Sequence, residues 1–298
     1  MSAATALGAA FLAVLAHPRW WVMSLAAFLV RGGVLLLLIP VIPLPTTAAL
    51  ANALGPTLVG FVFGGPSVSF LILVGSVACA TLVWFVFAGV AGSSLDLALI
   101  REAAEDDDLE SHWRPEAGGP WRAAALRWLA HLPTAVALLW GVATLVDAAY
   151  IEFTRPGDAT IPVAIRVILR APELVAFVVI AWVVGEAAGG LAVRRLAWGA
   201  GIRRSLAGSV AGLLRPSGLA VLILANLTLV AAVVAGNLAI AVAFDQTRTL
   251  LLDGGPPLAR ALALGLLSGA WIGTAVLVGI VTAWRSTAWT YEAGRRQT

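Results

Sequence analysis

From Gly32 to Leu95 the chain runs 64 residues without one charged side chain. That stretch is too long for a single helix, and Pro40, Pro43, Pro45, Pro56 and Pro66 interrupt it, since proline removes a helical hydrogen bond and clashes with the preceding turn. A soluble domain carries about 25% charged residues. Here the figure is 12%, against 60% hydrophobic residues and a mean hydropathy of +0.95. So few charges cannot coat a globule of 298 residues, so the exterior must face lipid. A spanning helix needs about 20 mostly apolar residues. Segments of that kind lie at 22–42, 67–91, 131–151, 173–193, 218–241 and 260–283. The expected fold is all-α: one integral membrane domain covering 1–298, a polytopic bundle of six spans, with its longest polar region at 93–129.

The segment 46–65, TTAALANALGPTLVGFVFGG, is apolar enough to cross but is broken by Asn52, Gly55 and Pro56. Arginine distribution decides against a seventh span, because cytoplasmic loops carry the excess of basic residues. With six spans the inner segments hold Arg19, the group Arg101, Arg114, Arg122 and Arg127, the group Arg194, Arg195, Arg203, Arg204 and Arg215, and finally Arg285, Arg295 and Arg296. The outer segments hold only Arg155, Arg166, Arg170, Arg248 and Arg260. A seventh crossing would turn the acid-free loop at 194–215 outward. The segment 46–65 is therefore read as re-entrant or interfacial on the outer side, and both termini as cytoplasmic in a plasma (inner) membrane. All 19 basic residues are arginine, as a GC-rich bacterial genome favours. The first 16 residues lack the leading positive charge of a signal peptide and are too short to span. Ala3–Ala16 reads as a helix on the inner membrane surface.

Three segments align on a proline: AVLAHPRWWVMSLAAFLVRGG at Pro18, RWLAHLPTAVALLWGVATLV at Pro133 and AGLLRPSGLAVLILANLTLV at Pro216. Each is a short helical stretch, then a proline suited to a helix's first turn, then an outward span. Segments 40–66, 155–172 and 245–257 follow, each with its own proline, and a return span comes after each. The chain therefore reads as three helical hairpins, each prefaced by an interfacial helix. The openings LAHPRWW and LLRPSGLAVLIL resemble the membrane domains attached to some bacterial glycerophosphodiester phosphodiesterases, and related six-helix proteins of unknown function. The resemblance implies a six-helix membrane fold over most of the chain. It carries over no activity and no site residues, because no soluble stretch here could hold the catalytic domain.

Ionisable groups at membrane depth are costly and are usually paired or functional. Arg31, Glu186 and Asn226 fall at similar depth in spans 1, 4 and 5, roughly 14 Å from the inner end for Arg31 at 1.5 Å per residue. The expectation is an Arg31–Glu186 pair with Asn226 adding hydrogen bonds. It would act as a register-fixing ion pair or as a substrate or proton site, unless Arg31 snorkels to the surface. Near the outer face, Asp147, Glu152, Arg166, Arg170 and Glu173 form a second group. There IPVAIRVILRAPE places Arg166 and Arg170 on one face of a short amphipathic helix. This group either anchors a loop or binds an anion or lipid headgroup. On the inner side, Arg194, Arg195, Arg203, Arg204 and Arg215 are expected to contact anionic lipid. Trp20, Trp21, Trp113, Trp121, Trp284 and Trp289 read as an interfacial belt. Gly265, Gly269 and Gly273, and again Gly185 and Gly189, recur every fourth residue, which lets helices approach closely. The expected contact is internal.

One cysteine and three scattered histidines give no zinc site, and EDDDLE lacks the alternating ligands and turn glycine of a calcium loop. No metal, cofactor or catalytic group is expected, and arginines beside apolar segments do not describe a nucleic-acid surface. The remaining classes are a non-enzymatic protein that binds or moves a lipid or small hydrophobic solute, or assists another membrane system; a structural subunit with a protein partner or a second copy; and an intramembrane lipid-modifying enzyme.

Overall fold

The computed structural model describes residues 3–42, 67–106, 119–154, 163–214 and 216–294, together with Ala48, Ala49, Asn52, Gly60, Gly64 and Gly65. The expected re-entrant element at 46–65 lies outside the described residues apart from those single positions. Every regular element among the described residues is helical. In chain order these are α1 (Ala3–Ala16), α2 (Pro18–Phe28), a π turn at Leu29–Gly33, α3 (Val34–Leu38) with a closing 3-10 turn at Ile39–Val41, α4 (Val68–Asp106), α5 (Pro120–Ala130), α6 (Leu132–Thr154), α7 (Val163–Leu169), α8 (Pro172–Ala197), α9 (Ile202–Leu213), α10 (Pro216–Leu252) and α11 (Pro257–Gly294). Six helical stretches are long and apolar enough to cross a membrane: Pro18–Val41, Val68–Asp106, Leu132–Glu152, Pro172–Ala197, Gly218–Leu252 and Pro257–Gly294.

The three proline openings all appear as a short helix, a break and a long helix. His17 leaves helical geometry (φ −121, ψ 77) between α1 and α2, with Pro18 opening α2. His131 separates α5 from α6, and α9 ends before Pro216 opens α10. The helices overrun the apolar segments. α4 has 39 residues, about 58 Å at 1.5 Å per residue, against about 30 Å of hydrocarbon. It continues as helix through the expected start of the polar loop at Ser93, and α11 continues past 283. This overrun carries ionisable residues of α4 and α11 into packed positions.

The chain forms two compact units. The first comprises Met1–Ile42, Ala88–Ala130 and Glu186–Thr298. Its largest core joins Ala10 and Val14 of α1 to Trp20, Leu99, Ala103, Ala187, Val221, Ala225, Ala288 and Trp289. A second cluster packs Leu97 and Ile100 of α4 on Leu126 of α5 and on Val193 and Leu196 of α8. α1 is thus half embedded: Ala6, Ala10 and Val14 are buried, while Phe11, Leu12 and Leu15 are exposed and available to lipid. The belt expected of tryptophan is only partial. Trp20 and Trp289 are core residues, 1% and 2% exposed. Trp21 and Trp284 donate their indole N–H to the carbonyls of Val14 (2.7 Å) and Leu7 (3.0 Å). Trp121 is exposed, and Trp113 lies outside the described residues.

The second unit comprises Pro43–Phe87 and His131–Gly185. Within it Trp140 of α6 meets Phe177 of α8 edge-on, with ring centroids 6.1 Å apart. Its α4 portion presents Leu71, Ile72, Leu73 and Val77 outward, the side chains a lipid-facing helix displays.

Candidate functional site

Four arginines and two carboxylates meet inside the first unit. Arg31 comes from the π turn that interrupts the first span, where Gly32 adopts φ 100. That left-handed value favours glycine, and the break turns Arg31 out of regular helical phase. Its side chain lies across Gly92 of α4, where a Cβ would stand 2.5 Å from Arg31 Nε. Arg31 Nη2 donates to Asp96 Oδ2 at 2.7 Å. Arg127 of α5 donates through Nη2 to the same oxygen and reaches Glu186 Oε1 through Nη1 at 3.4 Å. Arg285 of α11 donates to Glu186 Oε1 and to Asn226 Oδ1, both at 3.0 Å. Each of the three return helices α4, α8 and α11 thus supplies one ion-pairing member: Asp96, Glu186 and Arg285.

Arg194 lies beside this network and is 2% exposed. Its hydrogen-bond acceptors are neutral: Thr290 Oγ1 (3.1 Å), the Gly190 carbonyl (2.7 Å), and the carbonyl and Oγ of Ser286 (2.7 and 2.8 Å). Arg194 and Arg285 both stack on the buried ring of Trp289, 5.4 and 4.9 Å from its centroid, a cation–π arrangement that replaces part of their lost hydration. Burial would lower the pKa of Arg127, but Asp96 and Glu186 more than offset it and raise the value above that of free arginine. The guanidinium stays charged.

The direct Arg31–Glu186 pair expected from depth is not formed. Asp96 takes Arg31 instead, and Arg127 links Asp96 to Glu186. Asp96 lies beyond the apolar end of its span, and Arg127 was read as a loop residue. Continuation of α4 and packing of α5 bring both inside. Asn226 does join Glu186, through Arg285 rather than directly.

The expected surface set of arginines also divides. Arg194 is interior, not a lipid contact, because α8 turns it toward Ser286 and Thr290. Arg195 covers Gly208 of α9, where a Cβ would stand 2.6 Å from its Cζ. Arg203 and Arg204 are exposed on α9, and Arg215 lies outside the described residues. In the second unit, Glu152 is 2% exposed and accepts Arg166 Nε at 2.7 Å and also Arg170 Nε. Both arginines of the amphipathic stretch are thereby committed to one carboxylate, which pins α7 to the end of α6. Asp147 and Glu173 are exposed, outside this triad.

The glycine face of α11 is not used for the internal packing expected of it. A Cβ added at Gly265, Gly269 or Gly273 would meet nothing within 4 Å. Gly265 and Gly269 instead floor an open groove between α10 and α11, about 770 Å³ in volume, walled by Leu238, Val242, Leu262 and Leu266, with Gln246 at its polar end. The close approach of these two helices is made elsewhere, where Gly236 abuts Thr274. Among the described residues no three His, Cys, Asp or Glu side chains are grouped as a metal would need.

No family model matches the chain, and no curated protein or solved structure matches it significantly.

Proposed function

We propose that this is a non-enzymatic multi-pass protein of a bacterial plasma membrane that binds a lipid through its acyl chain. The observation that carries the reading is the groove between α10 and α11. It is open, lined by leucine, valine, alanine and glycine, and set within helices apolar enough to span. A flexible hydrocarbon chain suits such a channel, since burying apolar surface is favourable at about 25 cal/mol per Å². In the topology favoured by the arginine distribution, both termini are cytoplasmic and the groove opens on the outer leaflet. The chemistry of an enzyme has less support: Asp96, Glu186 and Glu152 are each engaged by arginine, which leaves them poorly suited as nucleophile or general base.

A second reading draws on the same face. Gly265, Gly269 and Gly273 form a small-residue stripe of the kind through which membrane helices associate, so a second copy of the chain competes with lipid for it. Native mass spectrometry of the full chain released from membranes in mild detergent tests both. Wild type is expected to carry lipid adducts that Gly269→Leu loses, because the new side chain would enter the groove, and no atom lies within 4 Å of a Cβ added there. Adducts absent from wild type, or unchanged in Gly269→Leu, overturn the lipid reading. A dimer that Gly269→Leu converts to monomer establishes the second reading.

A further inference from the structure

We infer that the outward face of α9 is a docking surface for an anionic bilayer. The helix divides into two sides. Ser205, Ser209 and Gly212 recur at helical spacing and are buried. A Cβ added at Gly212 would stand 3.5 Å from Leu191 of α8, and Leu206 beside this stripe packs on the cluster shared by α4, α5 and α8. The two serine hydroxyls are satisfied locally, by the carbonyls of Ala200 (3.4 Å) and Leu206 (2.7 Å). Arg203, Ala207, Val210 and Leu214 repeat the same spacing two residues out of step, about 200° round a helix of 3.6 residues per turn. All four are exposed, Val210 by 55% and Leu214 by 81%. A helix on a water-facing surface turns its polar side outward. Here serine and glycine face the bundle while valine and leucine point away from it, as suits a helix lying at the boundary of headgroups and acyl chains.

The position of α9 in the chain says what covers that side. Leu214 stands two residues before Pro216, which opens α10, and the stretch of α10 long and apolar enough to cross a membrane begins at Gly218. The outward residues therefore lie where the chain enters the bilayer. The other two short helices that precede a span share the arrangement. α1 exposes Phe11, Leu12 and Leu15 ahead of Pro18, and α5 exposes Trp121 and Leu129 ahead of Leu132. Charge distinguishes α9 from α1. The sequence of α9 has Arg203 and Arg204 and no acid, whereas α1 has no charged residue. Guanidinium matches phosphate geometry, and basic residues beside an anionic leaflet add to its attraction. α9 is thus set to respond to headgroup charge and α1 is not. This surface does not depend on the groove between α10 and α11.

The test uses the full chain with Cys79→Ala, carrying a nitroxide spin label at Val210→Cys or, as an internal control, at Leu12→Cys. Depth is read from collisions with oxygen, which concentrates in lipid, against a water-soluble nickel chelate. Nanodiscs of phosphatidylcholine are compared with nanodiscs containing phosphatidylglycerol. The label at position 210 is expected to lose nickel access and gain oxygen access when phosphatidylglycerol is present. The label at position 12 should stay in lipid in both. Arg203→Gln combined with Arg204→Gln should abolish the difference at position 210 while leaving position 12 unchanged, which reports that the fold is intact. Salt near 1 M, which shortens the screening length from about 10 Å at 0.1 M to about 3 Å, should abolish it without any substitution. A label at 210 that is open to nickel in both lipids, or equally deep in both, overturns the inference. So does a phosphatidylglycerol response that survives the double arginine change. A label closed to both reagents would overturn it as well, because a protein segment would then cover the face.

Discussion

Arg31 and Arg127 converge on one carboxylate oxygen, Oδ2 of Asp96. Asp96 thus stands between the half-buried guanidinium of Arg31 and the buried one of Arg127. Asp96→Asn should therefore destabilise the protein by about 3–5 kcal/mol, the usual cost of stripping one partner from a buried ion pair. Thermal unfolding in detergent measures it. Asp96→Asn combined with Arg127→Met should cost less than the sum of the two single changes, because the double variant removes both the carboxylate and one of the repelling cations. Full additivity would show that Asp96 and Arg127 are not coupled.

The helical membrane class and the six long apolar stretches were readable from charge-free runs and proline positions. So were the three short-helix openings, because a proline at a helix's first turn leaves a local signature. The membership of the polar layer was not. Depth counted along each span placed Arg31, Glu186 and Asn226 together but omitted Asp96 and Arg127, which lie in segments that hydropathy reads as loop. Only tertiary packing makes those segments interior. One signal was present: Asp96 is the first charge after the 64-residue uncharged run, and no proline after Pro66 stands before it to end the helix. Arg194 illustrates the converse. In sequence it belongs to a basic surface loop, and what buries it is the positions of Ser286 and Thr290, nearly a hundred residues away.

The π turn at Leu29–Gly33 should be sensitive at its glycine. Gly32→Ala forces a Cβ into φ 100, a left-handed geometry that costs roughly 1–2 kcal/mol for an L residue. Space is not the obstacle there, since nothing lies within 4 Å of the added atom. Gly92→Leu acts differently, by pushing on Arg31 itself, and should displace Arg31 from Asp96. The two are separated by combining each with Arg31→Ala. The cost of Gly92→Leu should largely vanish in that background, whereas that of Gly32→Ala should persist. A Gly92→Leu penalty unchanged by Arg31→Ala would mean that Gly92 is needed for something other than this contact.

In the second unit, Glu152 holds two arginines of unequal burial. Arg166 is 7% exposed and Arg170 is 41% exposed at the side chain. Arg170→Ala should therefore cost no more than about 1 kcal/mol, the range of solvent-screened pairs. Arg166→Ala should cost more, because it removes the buried partner of a buried carboxylate. Limited proteolysis after α6 gives a second readout, since release of α7 should expose that connection in Glu152→Ala and Arg166→Ala before it does in Arg170→Ala. Equal effects of the two arginine changes would contradict the burial difference.

The assignment of faces can be tested by chemical access. Cys79 is the single cysteine, so Cys79→Ala gives a background without thiols. Asp253 is exposed in the turn between α10 and α11, and Arg203 is exposed on α9. With the basic segments inside, Asp253→Cys should react with a membrane-impermeant maleimide on intact cells, and Arg203→Cys only after permeabilisation. These sites are joined through α10 alone among the spanning helices, so a true crossing requires them to differ. Equal labelling of both would show that α10 does not span. The reverse pattern would keep the six helices but turn the molecule over, placing the α10–α11 groove in the cytoplasmic leaflet and the arginine layer toward the outside.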